Sequence, residues 1–140
     1  MHRLDATTVW DEIMEIRLHK GQGKLQYVIE IGEHRLLTDE PASVGGEDTG
    51  PDPHDLLAAS LGACTALTLT LYARRKQMDL QDLDVRIRHA KEGDAYVFRR
   101  TIAYIGNLSL EDKQRLTEIA EKCPVHRTLM GQIQITTEML

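Results

Sequence analysis

Cysteine is scarce in this chain, with only Cys64 and Cys123 among 140 residues. Two thiols cannot close a structural zinc site, which takes four protein ligands. The start, Met1-His2-Arg3-Leu4-Asp5, lacks an apolar stretch of secretory length. No signal peptide is therefore expected, and a cytoplasmic location is the default. In a reducing compartment the two cysteines are expected to be free, catalytic or redox-active rather than a staple. Positive charge is short as well: 17 Lys and Arg against 22 Asp and Glu leave a net charge of -5. The basic residues are scattered, which argues against a nucleic-acid partner, because phosphate binding needs a concentrated positive face. Their one short run, Arg74-Arg75-Lys76, suits a helix C-terminus, where cations complement the macrodipole. Internal repeats and low-complexity tracts are missing too.

What is there reads as one soluble domain, with 41% hydrophobic and 28% charged residues. Residues 1–38 are expected to form a small antiparallel meander. Val9 to Leu18 makes a first strand, and Gly21-Gln22-Gly23 a turn. Leu25, Tyr27, Ile29 and Ile31 recur every second residue, so they share one face of a second strand. A turn at Gly32-Glu33 leads into His34 to Leu37. Residues 39–53 form a loop rich in Gly, Pro, Asp and Ser, long enough to suggest a functional role.

A central helix is expected over 53–77, capped by Asp52, with Pro53 at its first position. Leu56 to Ala73 contains no charged residue. That length approaches a membrane span, but Ser60, Gly62, Thr65, Thr68 and Thr70 and the amphipathic remainder favour a helix buried on all sides. A small sheet covers one side only. A second subunit is the simplest cover for the rest, and the small residues Ala58, Ala59, Gly62, Ala63 and Ala66 suit close helix approach. Leu83, Val85 and Ile87 alternate with Asp84, Arg86 and Arg88. With Ala95 to Ile105, across a turn at Glu92-Gly93-Asp94, they predict a hairpin over 82–106. The final part, 109–139, is read as a helix capped by Ser109 and Asp112, a stop at Pro124, a short turn to Gly131 and a last strand through Ile133 and Ile135.

Cys64 lies mid-helix, where a small buried hydrophobe is the bland reading. To react it needs a cation that holds the thiolate. Arg17, Lys24, Arg35 and His54 are the candidates, and arginine is favoured because it stays charged when buried. Cys123 precedes Pro124, where backbone N–H groups at a helix start favour a thiolate. Its other reading is packing at a helix end. Cys123 and His126 have a C-x-x-H spacing, but a zinc site needs two further ligands, and no metal is expected. Asp55 either stabilises the helix start or orients an arginine beside Cys64. Nine residues separate Asp55 from Cys64, on the order of 13 Å of helix.

The stretch from Gly50 to Thr65 (GPDPHDLLAASLGACT) combines a proline-containing loop, an acidic residue near a helix start and a small-residue run ending in cysteine. It resembles the central helix of the OsmC/Ohr superfamily. Cys123-Pro124-Val125-His126 is similar to that family's second cysteine. The resemblance implies an α+β OsmC-like fold, with antiparallel sheets around two long central helices in an intertwined homodimer. It implies a thiol-dependent hydroperoxide reductase, acting in oxidative or osmotic stress defence without a cofactor. Cys64 would attack a small organic hydroperoxide, Cys123 would resolve the sulfenic acid to a disulfide, and an external dithiol would reduce it. The best-studied members carry glutamate ten residues before the first cysteine, where this chain has His54, with Asp55 next to it. Arg35 is expected to serve Cys64, with Arg17 as second candidate. The alternative is a non-enzymatic protein of the same fold that binds a small apolar ligand or a partner at the dimer interface.

Overall fold

The computed structural model describes residues 15–140, so the part of the first expected strand before residue 15 lies outside the described residues. The described residues are an α+β arrangement in two compact units, one ending at Leu56 and the other running from Leu57 to Leu140.

In the first unit, β1 (Ile16–Lys20), β2 (Tyr27–Ile31) and β3 (His34–Thr38) form an antiparallel meander in that spatial order. Register pairs Leu18 with Ile29, and Ile29 with Leu36. Leu25 falls in the turn before β2. As the central strand, β2 holds the buried residues on both of its faces, Val28 and Ile29.

Residues 39–53 are organised around one carboxylate. Asp39 is buried and accepts the backbone N–H groups of Glu40, Glu47 and Thr49 and the Thr49 hydroxyl. The Thr49 hydroxyl bond, followed by these N–H bonds, pulls the Asp39 carboxyl down to about 2. A bend through Gly46 lets the chain pass close to the Glu40 carbonyl, which a Cβ at that position would strike. Asp39 therefore gives this loop a structural reason for its composition.

α1 (Pro53–Arg75) starts as its sequence suggests, with the Asp52 carboxylate accepting the Asp55 N–H at 2.8 Å. Arg74 and Arg75 occupy its last turn. In the second unit, β4 (Asp79–Glu92) and β5 (Ala95–Asn107) form a long antiparallel hairpin turning at Gly93-Asp94. Gly93 takes a left-handed φ of 61°, a conformation that favours glycine. α2 (Leu110–Ala120) opens with the expected capping box, in which Ser109 and Asp112 satisfy each other's backbone N–H. α3 (Pro124–Met130) begins at Cys123.

The core of this unit joins Leu69 and Ala73 of α1 to Leu116, Ile119 and Ala120 of α2. Leu83, Ile102 and Tyr104 of the hairpin close over it. Leu69 and Leu116 are fully buried, each contributing about 1.5–3 kcal/mol from removal of its side chain from water. Gly62 faces the hairpin, where a Cβ would lie 3.4 Å from Ile87 Cδ1, so the small residue sets how closely α1 approaches.

One expectation is corrected. Ile133 and Ile135 form no strand, and residues 132–140 carry no regular structure. Both isoleucines are exposed, at 58% and 85%. Alternation nominates a strand, but a strand exists only where a neighbouring edge supplies hydrogen bonds.

Candidate active site

The two cysteines, 59 positions apart in sequence, meet at the start of α3. Cys123 is its N-cap, Pro124 follows without an N–H, and the next two N–H groups point outward from the first turn. Each ends on a sulfur. The Val125 N–H donates to Cys64 Sγ at 3.5 Å, and the His126 N–H donates to Cys123 Sγ at 3.4 Å. The Arg127 N–H closes onto the Cys123 carbonyl at 3.1 Å. One helix start thus turns its positive end to both thiols.

Cys64 reaches this point from α1. It is half-buried, whereas Cys123 is fully buried. Burial alone pushes the Cys64 thiol up. The Val125 N–H, the Thr68 hydroxyl at 3.8 Å, the Cys123 thiol and the charge of Arg100 together more than offset that, and the thiol lies below its ordinary value. A more acidic, partly accessible thiol beside a second, buried thiol is an arrangement for nucleophilic attack followed by disulfide formation.

Arg100 is a cation whose charge contributes to lowering Cys64, after the Val125, Thr68 and Cys123 hydrogen bonds, and it is not among the cations named above from the sequence. On β5, the residues facing the helices are Phe98, Arg100, Ile102 and Tyr104, and Arg100 pairs across the hairpin with Ile87. A charged side chain in that apolar row was the available signal, because a buried charge requires partners. Its hydrogen-bond partners are polar groups from two helices, and the Glu121 carboxylate lies 4.0 Å away. Nη1 donates to Thr65 Oγ1 at 3.0 Å, and Nη2 donates to His126 Nδ1 at 3.1 Å. The Thr65 hydroxyl in turn donates to the Leu61 carbonyl at 2.7 Å, leaving its lone pairs for Arg100. The Arg100 side chain is 10% exposed.

The other expected site residues lie in the first unit. Arg35 is on β3 with Nε 4.0 Å from Glu30 Oε1, and Arg17 is on β1 with Nη1 3.8 Å from Glu30 Oε2. His19 also meets Glu30, at 3.1 Å, and is the first reason that this carboxyl lies below its ordinary value. His54 and Asp55 stand in the first turn of α1. The C-x-x-H pair does not converge on a common point: Cys123 Sγ takes the His126 backbone N–H, while the His126 ring meets Arg100 and Glu121. Among the described residues no group of three or more His, Cys, Asp and Glu is gathered as a metal-ligand set.

A cleft of about 400 Å³ shares Arg100 and His126 with the thiol site. Its walls are largely apolar, from Leu61, Tyr96, Phe98, Leu129 and Met130.

The family model for OsmC-like proteins matches residues 45–138. No curated protein matches. An OsmC-like protein from Mycoplasma pneumoniae is similar in fold, with TM-score 0.70 and 18% identity over 86% of this chain and 89% of that one. An organic hydroperoxide resistance protein OsmC from Legionella pneumophila gives TM-score 0.60 and 22% identity over 85% and 90%. The organic hydroperoxide resistance protein OhrB of Bacillus subtilis gives 0.54 and 21% over 85% and 91%. With more than half of its length matched by the family model, and with a fold shared with these structures, this chain belongs to the OsmC-like family.

Proposed function

We propose that this protein is a thiol-dependent hydroperoxide reductase, with Cys64 as the attacking thiol and Cys123 as the resolving one. The observation that carries the reading is the placing of both sulfurs on one helix start, with Arg100 lowering Cys64 further. The Cys64 thiolate attacks the terminal, hydrogen-bearing peroxide oxygen. An S–O bond forms as the O–O bond breaks, and the alkoxide leaves and takes a proton from solvent as an alcohol. The Cys123 sulfur then attacks the sulfenic sulfur of Cys64, forming S–S and releasing the hydroxyl oxygen as water. An external dithiol supplies the two electrons that restore both thiols. The apolar walls of the cleft favour an organic hydroperoxide over a small polar one. Members named for organic hydroperoxide resistance share the fold, which supports the reading at the level of the family.

The protein is further proposed to work as a homodimer. α1 is long and apolar enough to cross a membrane by length and composition, with mean hydropathy 1.6 and 28% of that window buried. Its Leu69 and Ala73 side already packs on protein, while Leu67 and Leu71 are 66% and 60% exposed. A second copy of the chain covers that face in this reading, and lipid does not.

The test is intact mass, with and without one equivalent of an organic hydroperoxide, on the parent, C64S and C123S proteins. The expected results are loss of two hydrogens in the parent and a trapped sulfenic acid in C123S alone. An unchanged parent mass, under conditions in which free glutathione reacts, would return the protein to the ligand-binding alternative.

A further inference from the structure

One group beside the thiols has no role in that scheme. The His126 ring sits between a cation and an anion: Nδ1 is 3.1 Å from Arg100 Nη2, and Nε2 is 3.3 Å from Glu121 Oε2. Their chemistry fixes its proton. A guanidinium only donates, so Nδ1 must be the bare acceptor. The single ring proton is then on Nε2, where it donates to the Glu121 carboxylate. Both contacts are satisfied by one neutral tautomer, which Arg100 and Glu121 select together.

We propose that His126, held by Glu121, is a positioning residue that fixes Arg100 beside Cys64 only while its ring is neutral, so that acid weakens the thiol's reactivity through His126 as well as at the sulfur. A second proton has to enter on Nδ1, the atom that accepts from Arg100. It would set two cations at hydrogen-bond distance and remove the bond, while the imidazolium gains attraction to Glu121. Arg100 would keep its Thr65 contact, and its other arm would lose its hydrogen bond and retain only the looser approach of Glu121 at 4.0 Å. The titratable and charged groups around the ring are Arg100 and Tyr96 from β5, Glu121 from the end of α2, Cys64 from α1 and Cys123 at the cap of α3. Among the described residues, Arg100 and Glu121 meet the ring nitrogens. Arg100 itself lies 4.0 Å from Glu121, so the three side chains form a closed triangle.

The inference rests on Cys64 being a reactive thiol, and on no step with peroxide. It is tested by alkylation with iodoacetamide, read at the Cys64 peptide by mass spectrometry across roughly pH 5 to 8, the range in which histidine side chains change charge. H126N keeps an acceptor oxygen for Arg100 and cannot titrate. Its expected acid-side fall, relative to its own plateau, is reduced to a single ionisation. H126A removes the acceptor. The expected inflection of Cys64 moves up, by less than the roughly one pH unit at the low end of what an opposite charge contributes, because Arg100 keeps its charge and loses only its position. Parent-like profiles in both variants would overturn the role, as would H126N falling as far as H126A at every pH. If H126A does not fold, the shape of the H126N profile decides alone. A parent Cys64 no more reactive than free glutathione would remove the thiol reading along with this one. A reactive parent with unaltered variants removes only the role of His126.

Discussion

Replacing Arg100 by methionine keeps most of the side-chain volume and removes the charge beside Cys64. An opposite charge within about 4–6 Å lowers an acidic group by about one to three pH units. Cys64 is half-buried, and the Arg100 charge comes after the Val125, Thr68 and Cys123 hydrogen bonds among the causes that lower it, so the lower figure is the ceiling. One unit corresponds to about 1.4 kcal/mol between the thiol and thiolate forms. Below the inflection, thiolate content and alkylation rate should fall by up to about tenfold. Consumption of an organic hydroperoxide should fall by the same factor if attack by Cys64 limits the rate. R100K retains a charge, but an ammonium cannot span Thr65 and His126 as the fork does, so an intermediate loss is expected. The assay is peptide-resolved alkylation of Cys64 against pH, beside thermal unfolding to confirm an intact fold. R35M belongs in the same series, because Arg35 is the residue the sequence nominated. R100M with the parent's inflection refutes the reasoning, and a raised inflection in R35M alone would transfer the role to Arg35.

Further outcomes follow from the packing and the charges. Leu116→Ala empties a fully buried position between α2 and α1 and should cost about 2–5 kcal/mol in urea unfolding. Asp39→Asn should destabilise the first unit near neutrality and flatten its acid response. The depressed folded value means that the carboxylate's contribution is present above the ordinary carboxylate range and is lost as pH falls towards about 2, which urea midpoints against pH will read. L67E/L71E places charge on the exposed face of α1 and should leave helix content unchanged while converting a dimer to monomers in sedimentation equilibrium. A parent that is already monomeric at micromolar concentration would contradict the proposed interface.

The sequence by itself determined the elements whose causes are local. Asp52 with Pro53 started α1, Ser109 with Asp112 started α2, and Pro124 ended one helix and opened the next. Each depends on hydrogen bonds between residues a few positions apart, and such bonds are written into spacing. The alternation of Leu83, Val85 and Ile87 fixed the inward face of β4 in the same way. The two cysteines were legible as a pair through the motifs around them. Tertiary structure alone decided what each side chain meets. Arg100 had to be carried onto α1 by the hairpin before it could reach Thr65, and α3 had to be set against α1 before the Val125 N–H could find Cys64. His126, read in sequence only as half of a weak metal spacing, became the partner of Arg100 through the same packing. The failed last strand has the same origin. A period of two assigns Ile133 and Ile135 to one side of an extended segment, but the ladder that makes a strand comes from another part of the fold.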